Sequence, residues 1–207
     1  MIISLIGFMG CGKSSVGKEL KRLLSCDMVD LDDYVEAMSG RTISEIFETE
    51  GEAAFRKLEL QALNEIFECY PQNRSEKPSF PLFREESYPQ IVDNSEKDGI
   101  GLILCLGGGT LTQPAAAELV RAHCRCIYLR AGVEELTADL EGRTAQRPLL
   151  KDISDAASPE AVREALHQRI SQMLDARQAI YEKSADIIVD VDGLLSHEIA
   201  EKILEKF

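Results

Sequence analysis

Residues 7–14 of the chain read Gly7-Phe8-Met9-Gly10-Cys11-Gly12-Lys13-Ser14, which matches the phosphate-loop pattern G-x-x-x-x-G-K-[S/T]. The motif follows a mostly apolar run over residues 2–6 and precedes a segment in which apolar residues recur at helical spacing. A buried parallel strand, a glycine loop and a helix are therefore predicted in this order. An ordinary glycine turn with an exposed lysine would explain neither the Lys-Ser pair nor the two flanking elements.

The loop has a chemistry of its own. Its glycines let backbone N–H groups converge on phosphate oxygens, and the helix N-terminus adds partial positive charge. Lys13 is predicted to reach the β and γ phosphates of ATP, and the Ser14 hydroxyl to ligate Mg²⁺. The residues predicted to bind ATP here are Gly10, Cys11, Gly12, Lys13, Ser14 and Ser15. A phosphate loop alone does not separate a kinase from a motor ATPase, but the guanine-reading motif N-K-x-D is absent from the sequence.

The rest of the sequence alternates between strand-like and helix-like patterns. Short apolar runs predict strands near residues 27–31, 101–106, 125–129 and 187–191. Helical spacing and capping signals predict helices near residues 33–40, 43–47, 51–69, 114–122, 133–140, 158–183 and 194–207. This alternation indicates an α/β fold in three layers, α/β/α, with a central parallel sheet. The length of 207 residues favours a single domain, 1–207.

The amino-acid composition indicates which binding partners and which cellular compartment to expect. With 36 acidic and 23 basic residues, the net charge of -13 argues against broad binding to nucleic acid or to a membrane surface. No export signal precedes the six scattered cysteines, so we expect a cytoplasmic protein with reduced thiols, acting as a monomer. His123, Cys124 and Cys126 lack the two spaced pairs of a zinc site, which makes metal binding there the less favoured interpretation.

Two acids follow the second predicted strand. Asp30 and Asp32 should emerge at the edge of the sheet that carries the phosphate loop, and in extended backbone their side chains would share a face. Such a pair can divide its work between Mg²⁺ and a substrate hydroxyl. The alternative is a helix N-cap with acids in the first turn, a role expected for Asp33. Another strand-end acid, Asp190, is superficially similar to the Mg²⁺-holding acid of many ATPases, although a solvated turn acid is favoured there.

Residues 70–99 interrupt the alternation. Four of the seven prolines fall in this segment among serines and charged residues, which predicts an inserted surface segment. The insertion could reshape a pocket or carry a self-association surface, but a loop in solvent is favoured.

Beyond the phosphate loop, the chain resembles the shikimate kinase family in an ordered set of motifs that spans about residues 2–191. In chain order the motifs are Asp30-x-Asp32, Gly40-Arg41-Thr42-Ile43, Gly51-Glu52 with Phe55-Arg56 and Glu59, Gly107-Gly108-Gly109, Arg143 with Arg147-Pro148-Leu149-Leu150, and Arg177 with Tyr181 and Ala185. The segment 70–99 departs from this family, since most of its members lack an insertion of that length at that place.

The resemblance implies a P-loop fold of the nucleoside-monophosphate-kinase type and an activity. The expected reaction is transfer of the γ-phosphoryl of ATP to the 3-hydroxyl of shikimate, a step toward chorismate and the aromatic amino acids. Asp32 would grip the shikimate hydroxyls and act as base, and Asp30 would support Mg²⁺ together with Ser14. Arg56 and Arg177 would hold the substrate carboxylate, which suits the bidentate geometry of guanidinium groups.

The resemblance also implies substrate contacts at Gly107, Gly108 and Gly109 and a lid over residues 141–157. In that lid, Arg147 would stabilise the transferring phosphoryl group, and Arg143 would lie nearer the adenine. The catalytic residues implied by the resemblance are therefore Lys13, Asp32 and Arg147.

Each of these assignments has an alternative. Arg56 could pair with Glu52 or Glu59 along its own helix, and Arg177 could be a solvated helix residue. The lid arginines could belong to a flexible basic loop, and the glycine triplet could serve only its turn. For the whole protein, the alternatives are a related P-loop kinase, such as a gluconate or nucleoside monophosphate kinase, and a catalytically silent nucleotide-binding module.

Overall fold

A computed structural model describes residues 1–70, 99–144, 147–155 and 158–207. Within these residues, five parallel strands form one sheet in the order β2-β3-β1-β4-β5. They are β1 (Ile2–Ile6), β2 (Asp27–Asp30), β3 (Leu102–Cys105), β4 (Cys124–Arg130) and β5 (Ile187–Asp190). Apart from its ends, the predicted insertion 70–99 lies outside the described residues.

Helices precede and follow the strands, as the sequence pattern predicts. They are α1 (Lys13–Leu24), α2 (Leu31–Ser39), α3 (Ile43–Glu50), α4 (Glu52–Cys69), α5 (Pro114–His123), α6 (Val133–Leu140), α7 (Pro159–Ser184) and α8 (Ser196–Leu204). Helix α1 packs against α8, α4 packs against α2, α3 and α5, and α6 packs against α7. The predicted three-layer α/β/α fold is confirmed. In the ranges that the structure describes, no helix is both long and apolar enough to cross a membrane.

The central strands show why the sheet is parallel and covered on both faces. Every residue of β1 and β3 is buried, as expected for mostly apolar runs that have helices on either side. Strand β1 lies between β3 and β4, with Ile2 opposite both Leu102 and Cys124. Because all five strands point the same way, their carboxyl ends meet at one edge, where the phosphate loop leaves β1.

Capping residues fix several helix ends as predicted. The Ser158 hydroxyl accepts a hydrogen bond from the Ala161 N–H (3.2 Å), and Pro159 occupies the first turn of α7. Gly40 ends α2 in the left-handed conformation, with φ of 67°.

The boundary between β2 and α2 differs from the prediction. We expected the strand to reach Leu31 and the helix to begin near Asp33, with Asp33 as its cap. Instead the strand ends at Asp30, whose carboxylate accepts a hydrogen bond from the Asp32 N–H (3.1 Å), and the helix begins at Leu31. An aspartate side chain that satisfies a free N–H of the first turn starts a helix early. Asp30 and Asp32 therefore do not share a face of an extended strand.

Candidate active site

The phosphate loop occupies the turn between β1 and α1. Gly12 adopts a left-handed backbone with φ of 86° immediately before α1, and a glycine has no side chain that could cap the helix. The Lys13 ammonium group donates hydrogen bonds to the carbonyls of Gly7 (2.9 Å) and Phe8 (2.8 Å) within the same loop. The lysine that was predicted to reach the phosphates is thus held over the loop that would bind them.

Asp30 connects the phosphate loop to α2. Its Oδ2 accepts a hydrogen bond from the Ser14 hydroxyl (2.5 Å), and its Oδ1 accepts the N–H of Asp32. The structure thus brings together the two residues predicted to support Mg²⁺. A hydroxyl and a carboxylate are hard oxygen ligands, the type that Mg²⁺ prefers, so this pair fits the ion.

Asp32 lies in the first turn of α2, among charges of both signs. Burial raises the pKa of its carboxyl to about 7, and the negative charges of Asp30 and Glu59 add to the rise. The positive charges of Lys13 and Arg56 offset part of it. A carboxyl group with a pKa near neutrality is suited to accept a proton and release it again.

Arg56 and Glu59 form a buried ion pair on one face of α4. The Glu59 side chain is fully buried and that of Arg56 is 13% exposed. One guanidinium nitrogen donates to Glu59 Oε2, and another donates to Glu52 Oε1 (2.8 Å). The pairing that the sequence left open as an alternative for Arg56 is therefore present with both acids. The role of Arg56 in binding the substrate carboxylate remains a prediction.

Thr110 holds the other oxygen of Glu59. Its hydroxyl, which is fully buried, donates to Glu59 Oε1 at 2.6 Å. Burial raises the pKa of Glu59 above its ordinary value, and the bonds from Arg56 and Thr110 offset part of that rise. Sequence reasoning missed Thr110, since a threonine after a glycine triplet carries no signal that predicts contact with a glutamate on another element.

The glycine triplet lies among these groups. A side-chain carbon at Gly107 would come within 2.7 Å of Glu59 Oε1 and 2.9 Å of Asp32 Oδ1, which leaves room only for glycine. A carbon at Gly108 would lie 3.0 Å from the backbone nitrogen of Met9, and Gly109 lies against the Arg56 guanidinium. The triplet therefore fills the space between the carboxylates, Arg56 and the phosphate loop.

Helix α7 contributes Arg177 and Tyr181, which contact the backbone of the triplet. The Tyr181 hydroxyl donates to the Gly108 carbonyl, which Arg177 also contacts at 3.5 Å. The Arg177 guanidinium lies 5.8 Å from the centre of the Phe8 ring in the phosphate loop. The structure thus brings Asp32, Arg56 and Arg177 together around one glycine loop next to Lys13.

The two predicted lid arginines follow helix α6 in the chain. Arg143 is exposed and pairs with Asp139 at 3.7 Å, whereas Arg147 precedes a 3₁₀ helix over Pro148–Asp155. Among the residues given a place in the structure, no hydrogen bond or ion pair joins either arginine to the glycine triplet. Residues 145–146 and 156–157 of the predicted lid fall outside those residues.

Two other sequence candidates have contacts of their own. Asp190 forms an exposed ion pair with Arg130, whose Nη2 lies 2.9 Å from the carboxylate, in line with the favoured interpretation of a solvated strand-end acid. This bond holds the pKa of Asp190 below its ordinary value. His123 stacks on Phe67, with ring centres 4.7 Å apart, and the Ser4 hydroxyl donates to the buried Cys126 sulfur.

A nucleotide bound at the phosphate loop would place its terminal phosphate beside carboxylate and guanidinium groups suited to a small anionic acceptor, which defines a P-loop kinase of small molecules. The family model of shikimate kinase matches residues 9–71 and 79–207, with the interruption inside the predicted insertion. The chain belongs to the shikimate kinase family.

Individual relatives agree with this assignment over almost the whole chain. A shikimate kinase of Chlorobaculum tepidum is 34% identical over 206 residues, which cover 98% of this chain and 90% of the relative. One from Dictyoglomus turgidum is 31% identical and covers 99% and 95%. Among solved structures, shikimate kinase from Acinetobacter baumannii in complex with shikimate has a TM-score of 0.74 at 29% identity, covering 99% of this chain and 91% of that one.

Proposed function

We propose that this protein transfers the γ-phosphoryl group of ATP to the 3-hydroxyl of shikimate, in the biosynthesis of chorismate and the aromatic amino acids. The observation that carries the proposal is the convergence of Asp32, Arg56 and Arg177 on the glycine triplet beside the phosphate loop. Family membership and the likeness to a solved shikimate kinase with shikimate bound support the choice of acceptor.

The acceptor's carboxylate would be held by the two arginines. Arg56 lies against Gly109 and Arg177 against the Gly108 carbonyl, so their guanidinium groups flank the triplet from two helices. A protein with a net charge of -13 repels anions over most of its surface and needs such local cations to capture one. The backbone of Gly107, Gly108 and Gly109 would contact the ring.

Asp32 would prepare the attacking hydroxyl. In the reaction, the 3-hydroxyl oxygen forms a bond to the γ-phosphorus while the bond from that phosphorus to the bridging oxygen of ADP breaks. The hydroxyl proton passes to the Asp32 carboxylate, whose pKa of about 7 is high enough to accept it. Asp32 then releases the proton to solvent as the products leave.

The phosphates of ATP would be bound by Lys13, by the N–H groups of residues 10–15 and by the arginines of residues 141–157. Lys13 and Arg147 would neutralise charge on the transferring phosphoryl group, and Arg143 would lie nearer the adenine. We propose Ser14 and Asp30 as protein ligands of Mg²⁺, because their oxygens already lie together. Bound there, Mg²⁺ would supply further neutralisation of the phosphate oxygens.

The test is a coupled ADP-release assay with ATP, Mg²⁺ and one acceptor at a time: shikimate, gluconate or AMP. We expect ADP release that depends on shikimate, with shikimate 3-phosphate as the product by phosphorus NMR. Turnover with gluconate or AMP but not with shikimate would refute the proposed acceptor. Tight ATP binding with no turnover on any of the three would indicate a silent nucleotide-binding module.

We further propose that the chain acts as a single-domain monomer in the cytoplasm. All six cysteines are free thiols, as suits a reducing compartment. Light scattering should give a mass near 23.0 kDa, and calorimetry should give one cooperative unfolding transition. A mass of twice that value or two separate transitions would contradict the proposal.

A further inference from the structure

Thr110 is a buried polar residue to which the proposed reaction assigns no part. It follows the glycine triplet, at the start of a 3₁₀ turn over Thr110–Thr112, and its side chain is fully enclosed. Its hydroxyl donates to Glu59 Oε1, and the residues so joined belong to the glycine loop and to helix α4. A threonine that served only the turn would need no partner on another element.

The Glu59 carboxylate divides its two oxygens between two donors. Oε1 accepts the Thr110 hydroxyl, and Oε2 accepts a guanidinium nitrogen of Arg56. A carboxylate with both oxygens occupied cannot rotate without losing a hydrogen bond in a buried site. The bond from Thr110 therefore fixes the direction in which Oε2 faces Arg56.

We infer that Thr110 is a positioning residue for substrate binding: by fixing the Glu59 carboxylate, it aims the Arg56 guanidinium at the acid group of the acceptor. The inference rests on the proposed function, since it concerns the site of the same acceptor. Thr110 acts through Glu59 and Arg56 and does not itself touch the substrate.

The surroundings of Glu59 explain why the hydroxyl matters. The charged groups around it are Arg56 and Glu52 on its own helix and Asp32 on α2. Without Thr110, Oε1 would lie buried with no donor, close to the Asp32 carboxylate across Gly107. The Glu59 side chain would then turn both oxygens toward Arg56, which would hold the guanidinium more tightly and away from the substrate.

The first experiment compares Thr110→Val, which has nearly the same shape and no hydroxyl, with Thr110→Ser, which keeps the donor. For Thr110→Val we expect the KM for shikimate to rise about tenfold, the effect of losing one hydrogen bond to a charged group. The KM for ATP and kcat should change less than about threefold. Thr110→Ser should restore the shikimate KM to within about twofold of the wild type.

The matched control is Thr137→Val. Thr137 is also fully buried, and its hydroxyl donates to the Val133 carbonyl (2.7 Å) within α6. This variant tests the general effect of removing a buried threonine hydroxyl, and its KM for shikimate should equal that of the wild type. A comparable rise in both valine variants would overturn the inference.

A double-mutant cycle with Glu59→Gln makes the test independent of any one variant. If Thr110 acts through Glu59, Thr110→Val should add little to the rise in shikimate KM that Glu59→Gln already causes. Additive effects would overturn the inference. If Thr110→Val does not fold, Thr110→Ala replaces it in the same cycle, with shikimate binding measured by calorimetry.

The outcomes separate the two proposals. A wild-type protein without shikimate-dependent ADP release refutes the proposed function together with this inference. If the wild type turns over shikimate and Thr110→Val has the same KM for shikimate as the wild type, the inference alone is refuted. A fall in kcat and a rise in the KM for ATP that match the change for shikimate would show a general structural role and would also refute it.

Discussion

The candidate site has two sides, one at the glycine triplet and one at the phosphate loop, and their charged residues have different kinds of partner. Around the glycine triplet, the fully buried Glu59 pairs with the mostly buried Arg56, and the Thr110 hydroxyl donates to the other oxygen of the glutamate. On the phosphate side, Lys13 donates to two carbonyls of its own loop and to the Cys11 sulfur (3.8 Å), and Arg143 is exposed and pairs with Asp139 at 3.7 Å. On the proposed acid-binding side, Arg56 is thus held by a buried glutamate before any substrate binds, whereas on the proposed phosphate-binding side Lys13 is held by two carbonyls and a sulfur.

The difference follows from what each side must do. Recognition of a small acid benefits from groups that are already fixed, because ordering them on binding would reduce affinity. Phosphoryl transfer instead needs positive charge that is not already neutralised by the protein. Substitutions on the two sides should therefore have different effects, the first on binding and folding and the second on the rate.

The largest effect is expected on the phosphate side. Lys13→Ala should lower kcat by about a thousandfold, because it removes a charge that we propose to face the transferring phosphoryl group. The free energy of unfolding should change by less than about 1 kcal/mol, since the lysine bonds to two carbonyls and, at 3.8 Å, to the Cys11 sulfur. Stopped-time ADP assays and urea unfolding measure the two quantities. A decrease in kcat of less than tenfold would contradict the proposed role of this residue.

On the acid-binding side, Asp32→Asn should stabilise the free protein at high pH. The pKa of Asp32 rises from 3.8 to about 7 on folding, so the folded state binds its proton more tightly than the unfolded state does. The wild type therefore loses stability as the pH rises from about 4 to about 7, by up to about 4 kcal/mol.

Asparagine has no such proton. Unfolding in urea should thus show the variant to be more stable than the wild type at pH 8 and close to it at pH 4. An equal difference in the free energy of unfolding at both pH values would contradict the raised pKa. Turnover of this variant should be lost, since no base remains.

Substitutions of Arg177 and Arg56 should distinguish an effect on substrate binding from an effect on folding stability. Arg177→Ala should raise the KM for shikimate about thirtyfold with little change in stability, because its contacts with the Gly108 carbonyl, the Phe8 ring and the Tyr181 hydroxyl are all with uncharged groups. Arg56→Ala should raise the same KM and also cost about 3 kcal/mol of stability, because it leaves Glu59 buried without its cation. KM measurements and urea unfolding of both variants test this, and equal stabilities would contradict the comparison.

The smallest effect is expected at Arg143. Its exposed pair with Asp139 contributes little, so Arg143→Ala should leave stability unchanged within about 0.5 kcal/mol. Its proposed place near the adenine predicts a rise in the KM for ATP of no more than about threefold, with shikimate unaffected. Steady-state kinetics with each substrate varied provide the measurement. A larger change in the KM for shikimate would contradict the proposed place of Arg143 near the adenine.

Local patterns predicted most of the fold. Apolar runs located all five strands, and the helix α6 was predicted with the bounds that the structure gives it, Val133–Leu140. The end of β2 was predicted wrongly, because periodicity cannot show which of three neighbouring aspartates turns its carboxylate to a backbone N–H. That choice depends on the Ser14 hydroxyl, which holds the other oxygen of Asp30 from a different element.

The sequence by itself determined the phosphate loop, the parallel sheet and the family, because these depend on residues close together in the chain and on the order of short motifs. Only the tertiary structure decided how the charged side chains of Arg56, Glu59 and Asp32 and the Thr110 hydroxyl are arranged around Gly107. Those contacts join α2, α4 and the glycine loop, and their strength depends on burial, which no local pattern specifies. The proposed substrate side therefore depends on packing between elements, whereas the phosphate loop at the centre of the proposed nucleotide site can be predicted from eight consecutive residues.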